Sequence, residues 1–191
     1  MKRTNLLLAA LALLLGVDPA RADLIVNGGF ETGDLTGWTV GPNPSFPVSV
    51  DSAPAVVHSG LFAAQIAGFS SDPDTLSQTV LTTTGQHYTL SFWRTVLDGG
   101  PITSLAVFWD NTLLFSEMNN GAQPYSLFTF DVVGTGSDTL RFVSANDPSF
   151  TFLDDVSLVP THTPEPTSLV IFGLAAVAAG CFGRRRGRQP V

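Results

Sequence analysis

His87-Tyr88-Thr89-Leu90-Ser91-Phe92-Trp93-Arg94-Thr95-Val96 is the run that decides the fold. Tyr88, Leu90 and Phe92 alternate with His87, Thr89, Ser91 and Trp93, and successive side chains of an extended chain point to opposite faces. One face is apolar and the other mixed, which predicts a half-buried strand over residues 87–96. The same period of two recurs outward along the chain. Leu140 and Phe142 lie opposite Arg141, and Phe128 and Phe130 lie opposite Asp131. Runs rich in Val, Phe, Thr and Leu, set apart by Gly, Pro, Asn and Asp clusters, predict further strands. These fall at residues 24–27, 47–51, 61–67, 75–82, 104–109, 113–117, 126–132, 139–144 and 151–159. Asp110-Asn111-Thr112 reads as a hairpin turn. Between the terminal segments no window carries a helical stripe, and no fixed-period repeat suggests a solenoid or propeller. About ten strands, each buried on one face, predict an all-β, two-sheet sandwich.

The two ends of the chain follow other rules. Lys2 and Arg3 precede an apolar run over residues 6–17, and Ala20-Arg21-Ala22 fits the small-x-small pattern of a signal-peptidase site. Residues 1–22 therefore read as a signal peptide, with signal peptidase as its partner and Asp23 as the first mature residue. Towards the other end Pro164-Glu165-Pro166 precedes an uncharged run at residues 167–183, then Arg184, Arg185, Arg186 and Arg188. As a helix that run spans about 25 Å, near the lower limit for crossing a bilayer. A single C-terminal transmembrane helix is expected, with the arginines holding its end on the cytoplasmic side. Residues 23–163 remain as one domain.

That domain is lopsided in charge. It holds fourteen acids and two bases, Arg94 and Arg141, with no lysine, for a net charge near −12. Such a field repels nucleic acid and anionic lipid, and neither is expected as a partner. The only cysteine, Cys181, sits in the apolar run, so the domain is held by its core, with a bound metal as the available helper. No Gly-x-Ser-x-Gly elbow, His-Glu-x-x-His pair, phosphate-cradling Gly loop or nucleophilic cysteine occurs in it. Fourteen acids supply carboxylate pairs by chance, and His58 next to Ser59 gives no triad geometry, so no enzymatic activity is expected.

Pro-Glu-Pro, a short apolar helix and an arginine-rich terminus, in that order over residues 164–191, resemble the PEP-CTERM sorting signal. The resemblance implies an exported protein of a Gram-negative bacterium. Its precursor would be anchored in the inner membrane, recognised by exosortase, and delivered to the cell surface or extracellular matrix, often alongside exopolysaccharide. The domain carries a second likeness. Leu24-Ile25-Val26-Asn27-Gly28-Gly29-Phe30-Glu31 with Gly37-Trp38 resembles the opening of galactose-binding-like jelly rolls, which include carbohydrate-binding modules. His58-Ser59-Gly60, Leu76-Ser77-Gln78-Thr79-Val80, Tyr88 to Trp93 and Phe152-Leu153-Asp154-Asp155-Val156-Ser157-Leu158 follow in the family's order.

The second likeness implies a structural calcium bound between the first and last strands, here by Glu31 with Asp154, Asp155 or both. Calcium takes roughly six to eight oxygens, so Gly29 and the His58–Gly60 loop would add carbonyls. It also implies sugar recognition by aromatic rings and a few polar groups. The candidates are Trp93, Arg94, Trp109, Tyr125 and Arg141, with an Asn146-Asp147 turn nearby; Trp38 is assigned to the core. Two readings stand: a surface module binding exopolysaccharide or another glycan, and a structural matrix protein with no specific ligand. A glycosidase is a third and weaker one.

Overall fold

The computed structural model describes residues 22–41, 46–98, 100–118 and 121–161. The chain divides into two units, Met1–Pro160 and Thr161–Val191, and the described residues apart from Thr161 lie in the first. The expected signal peptide short of Ala22, the Pro164-Glu165-Pro166 motif and the expected span 167–183 lie outside the described residues. Among the described residues no helix is long and apolar enough to cross a membrane.

Eleven strands are present among these residues. They are β1 (Thr39–Val40), β2 (Ser49–Asp51), β3 (Ala63–Ile66), β4 (Gly68–Phe69), β5 (Asp72–Leu81), β6 (His87–Val96), β7 (Ile102–Trp109), β8 (Thr112–Met118), β9 (Gln123–Val133), β10 (Ser137–Asp147) and β11 (Thr151–Pro160). A six-stranded sheet runs β1-β5-β10-β7-β8, with β4 also on β5, and a five-stranded sheet runs β2-β3-β11-β6-β9. The chain passes from one sheet to the other at most connections after β4, which makes the sandwich a jelly roll. The all-β expectation holds, and the two-residue turn Asp110-Asn111 joins β7 to β8 with Asp110 at φ 53°.

Alternation builds the core. Leu90 and Phe92 of β6 and Leu153 and Leu158 of β11 face Leu76, Leu105, Val107, Leu140 and Phe142 from the other sheet. The Phe92 and Phe142 rings meet edge to face at 5.1 Å across the sheets, an arrangement favoured by the ring quadrupoles. Trp38 is buried there as expected.

Two expectations fail. Residues 24–27 form no strand, because Asn27 (φ 54°) and Phe30 (φ 58°) turn the chain and its hydrogen bonds go to both sheets. Gln78 of β5 accepts from Val26 N at 2.7 Å and donates to Val26 O at 2.9 Å, while Leu24 N donates to Leu158 O of β11. A backbone satisfied on two sides needs no ladder of its own. Asn146 and Asp147 are no turn either; they end β10, with Asn146 buried.

Candidate functional site

The sandwich has two outer faces, and the predicted site residues divide between them and the core. On the five-stranded sheet Trp93 pairs with Asp154 of β11 and Leu127 of β9, outward-facing. The loop between β2 and β3 folds over this spot. The His58 ring stacks on Trp93 at 3.8 Å and 18°, and the half-buried Tyr125 ring stands 5.1 Å from His58. Tyr125 Oη donates to Val56 O at 2.5 Å. Burial, with the charges of Asp154 and Asp155 behind it, raises the Tyr125 phenol and keeps it a neutral donor.

Three carboxylates fasten the same loop. Asp154 Oδ2 accepts from His58 N at 2.9 Å and Ser59 N at 3.1 Å, and Asp154 Oδ1 accepts from Asp155 N at 2.7 Å. Burial raises the pKa of Asp154, and these N–H groups only partly offset it. Asp155 has φ 48° where β11 slips register against β6, a bulge that lets two consecutive aspartates serve one loop. Its carboxylate accepts from His58 Nδ1 and Ser59 Oγ, both at 2.7 Å. Glu31 accepts from Leu61 N at 2.9 Å and Phe62 N at 3.1 Å. Gly60 sits at φ 69°, and a Cβ there would strike the Glu31 carboxylate.

This cluster clarifies two expectations. Ser59 donates to Asp155 rather than to His58, so the two neighbours do not form a Ser–His pair. For calcium the donor types fit in part: Glu31 and Asp155 approach Gly29, where a Cβ would lie 3.7 Å from Glu31 Cγ and 3.6 Å from Asp155 Oδ1. Both oxygens of Asp154 hold backbone N–H groups, as do both oxygens of Glu31, while Asp155 accepts only from side chains. Among the described residues no group of three or more His, Cys, Asp or Glu is placed to hold a metal ion. A cation here would rest on two carboxylates and backbone carbonyls.

The outer face of the six-stranded sheet is arranged differently. Arg141 of β10 lies directly between Ser77 of β5 and Phe108 of β7, and Phe108 is followed by Leu113 of β8. The Arg141 guanidinium rests over the Phe108 ring at 4.4 Å. Directly paired residues of antiparallel strands share a face, so Thr75, Val143, Ala106 and Ser116 form the next row. On the other side Thr79 and Thr139 join through their hydroxyls at 2.9 Å. Leu113 is 53% exposed and Met118 71%. From Thr75 to Leu81, Ser104 to Phe108, Leu113 to Met118 and Thr139 to Val143, the outward positions carry no acid.

Two predicted residues belong to neither face. Arg94 follows Trp93 and therefore points inward; it is 1% exposed, paired with Glu117 of β8, and donates to Gln123 Oε1 at 2.5 Å. Burial pushes its pKa down to about 10, which leaves it charged at neutral pH. Trp109 is 5% exposed in the core and donates to Val133 O at 3.1 Å. Both residues tie elements together inside the sandwich. Phe108 is not among the sequence candidates; it alternates with Trp109 and takes the outward place that Trp109 leaves. Trp93 and Tyr125 come together, and Arg141 stands on the opposite face.

Residues 22–105 match the Carbohydrate binding domain family, a family of binding modules. Residues 162–188 match the PEP-CTERM protein-sorting motif, which marks an exported protein sorted by exosortase. Among curated proteins no relative matches the chain. Solved structures share the jelly roll. A module bound to beta-1,4-galactotriose, TmCBM61, is 23% identical, with 73% of this chain and 99% of that chain covered at a TM-score of 0.60. The CBM22-1 xylan-binding domain of Paenibacillus barcinonensis Xyn10C is 16% identical, with coverage of 75% and 97% and a TM-score of 0.54. The K3 adhesin domain of Lys-gingipain from Porphyromonas gingivalis is 16% identical, with coverage of 73% and 99% and a TM-score of 0.54.

Proposed function

We propose that the sandwich is a non-catalytic module that binds a glycan on the outer face of its six-stranded sheet, around Arg141 and Phe108. The carrying observation is the contrast among the described residues: the loop between β2 and β3 covers Trp93 on one face, and Arg141, stacked on Phe108, stands among hydroxyls and an apolar strip on the other. A pyranose has C–H bonds that suit apolar surface and hydroxyls that need paired donors and acceptors. Phe108, Leu113, Val143 and Ala106 offer the first, while Arg141, Ser77, Thr75 and Ser116 offer the second. The match to the carbohydrate-binding family and the galactotriose-bound and xylan-binding neighbours support this reading.

Export completes it. Signal peptidase removes residues 1–22, the apolar run at 167–183 holds the precursor in the inner membrane of a Gram-negative cell, and exosortase processes it at Pro164-Glu165-Pro166. The domain then engages exopolysaccharide or a matrix glycan at the cell surface. Calcium between Glu31 and Asp155 would supply charge neutralisation where the N-terminal segment meets β11.

Pull-down on a panel of polysaccharides tests the module. Arg141→Ala should lose the retained glycan and Trp93→Ala should keep it; loss with Trp93→Ala alone would move the site to the other face. Retention of no glycan by the native chain would leave a structural matrix protein.

A further inference from the structure

We infer that the glycan held on this face is an uncharged polymer, and that the domain's own field excludes polyanionic glycans such as polyuronates. This rests on the glycan-binding reading above. Residues 23–163 contain fourteen acids, two arginines and no lysine. Arg94 is buried and paired with Glu117, so Arg141 alone among those bases reaches an outer face, and its guanidinium plane rests on Phe108.

A single carboxylate of a polyuronate has a partner in Arg141. Its neighbours along the chain have none. Acids stand at both ends of the strands that carry the site: Asp72 and Asp147 at one end, Asp110 at the other. Without lysines there is no second cation to compensate a further charge. Like charges repel in water, and the effect reaches about 8 Å at physiological ionic strength. A polymer with a carboxylate on every residue repeats that repulsion along the face. An uncharged chain meets hydroxyls and apolar groups there, since the outward positions of β5, β7, β8 and β10 around Arg141 carry no acid.

The test uses the full chain in detergent, with galactan, glucan and the same two polymers oxidised at C6 to uronates. Titrations run at about 0.01 M and about 1 M salt, between which the screening length falls from about 30 to about 3 Å. At low salt the neutral polymer should bind at least about tenfold tighter than its oxidised form, within the span that electrostatic fields produce. High salt should shrink that ratio. Asp110→Asn with Asp147→Asn should also shrink it while leaving the affinity for the neutral polymer unchanged. An oxidised polymer that binds as tightly as its parent at low salt, or more tightly, overturns the inference and leaves the glycan reading standing. Binding of neither form, with any salt, removes the glycan reading itself and this inference with it.

Discussion

The two outer faces of the sandwich are built from the same alternating strands, yet among the described residues a loop closes one around Trp93, whereas the other is open at Leu113 and Met118. Over the five-stranded sheet, Glu31, Asp154 and Asp155 turn their carboxylates onto the loop between β2 and β3, and His58 lies flat on Trp93. Over the six-stranded sheet, Arg141 and Phe108 stack on each other, beside Ser77 bonded to Thr39 O and the paired hydroxyls of Thr79 and Thr139. The difference teaches where to look for a ligand. Aromatic and charged residues that satisfy one another under a loop are part of the fold. Those on the other face, among the described residues, are the ones to test for a ligand.

Breaking the closed face should have the largest effect. Asp154→Ala strands the N–H groups of His58, Ser59 and Asp155, and unsatisfied buried donors cost on the order of 1–3 kcal/mol each. We expect a loss of about 3 kcal/mol in urea unfolding of the full chain in detergent, with glycan affinity retained where the protein is still folded. Asp154→Asn, which keeps a carbonyl acceptor and removes a buried charge, should cost much less. Equal losses in the two variants would contradict the loop-fastening role.

Chelating the calcium proposed at Glu31 and Asp155 comes next. At a hundredfold excess of calcium over its dissociation constant, the folded state gains about 2.7 kcal/mol by mass action. Chelation should lower the melting midpoint of the native chain by several degrees, and Glu31→Ala should abolish that response. A midpoint indifferent to calcium and chelator would mean that packing and hydrogen bonds alone join the N-terminal segment to β11.

A smaller effect probes the open face. Arg141→Ala should weaken glycan binding about tenfold, or about 1.4 kcal/mol. Its effect on stability should stay within about 1 kcal/mol, the worth of an exposed cation–π contact. Trp93→Ala, measured on folded protein, should leave affinity within about twofold, well under that 1.4 kcal/mol step.

The smallest effect concerns acid. Burial raises the pKa of Asp138, but the hydrogen bonds from Thr82 and Thr135 outweigh it, so the group titrates below the ordinary 3.8. Its contribution is therefore present above that value and lost as pH falls through the folded-state pKa. Asp138→Asn should be less stable than the native chain at neutral pH, and the gap should narrow as the solution is acidified through that range. A gap that stays constant with pH would sink this assignment.

Much of this was legible beforehand. The strands at β6, β9 and β10 follow directly from alternation, as do the shared faces of Tyr88, Leu90 and Phe92. The likeness to a known jelly roll placed Glu31, Asp154, Asp155 and the His58–Gly60 loop together, and they meet. Alternation failed where a sign was needed. It says that Trp93 and Arg94 point opposite ways, and Phe108 and Trp109 likewise, without saying which member faces the core. The segment at residues 24–27 misled for a related reason: its apolar pattern matches a strand, but its partners are the Gln78 side chain and β11.

What the sequence determined by itself was local and periodic: the strands, the turns, the sorting motif near the end of the chain and the acidic balance. Each depends on neighbours a few residues apart or on composition. Only the tertiary structure decided which outer face the loop between β2 and β3 covers, because that rests on bonds between distant residues. His58 reaches Asp154 across 96 positions of sequence, and Arg141 finds Phe108 through strand pairing. Such contacts exist only once both sheets have formed and the loop has somewhere to dock.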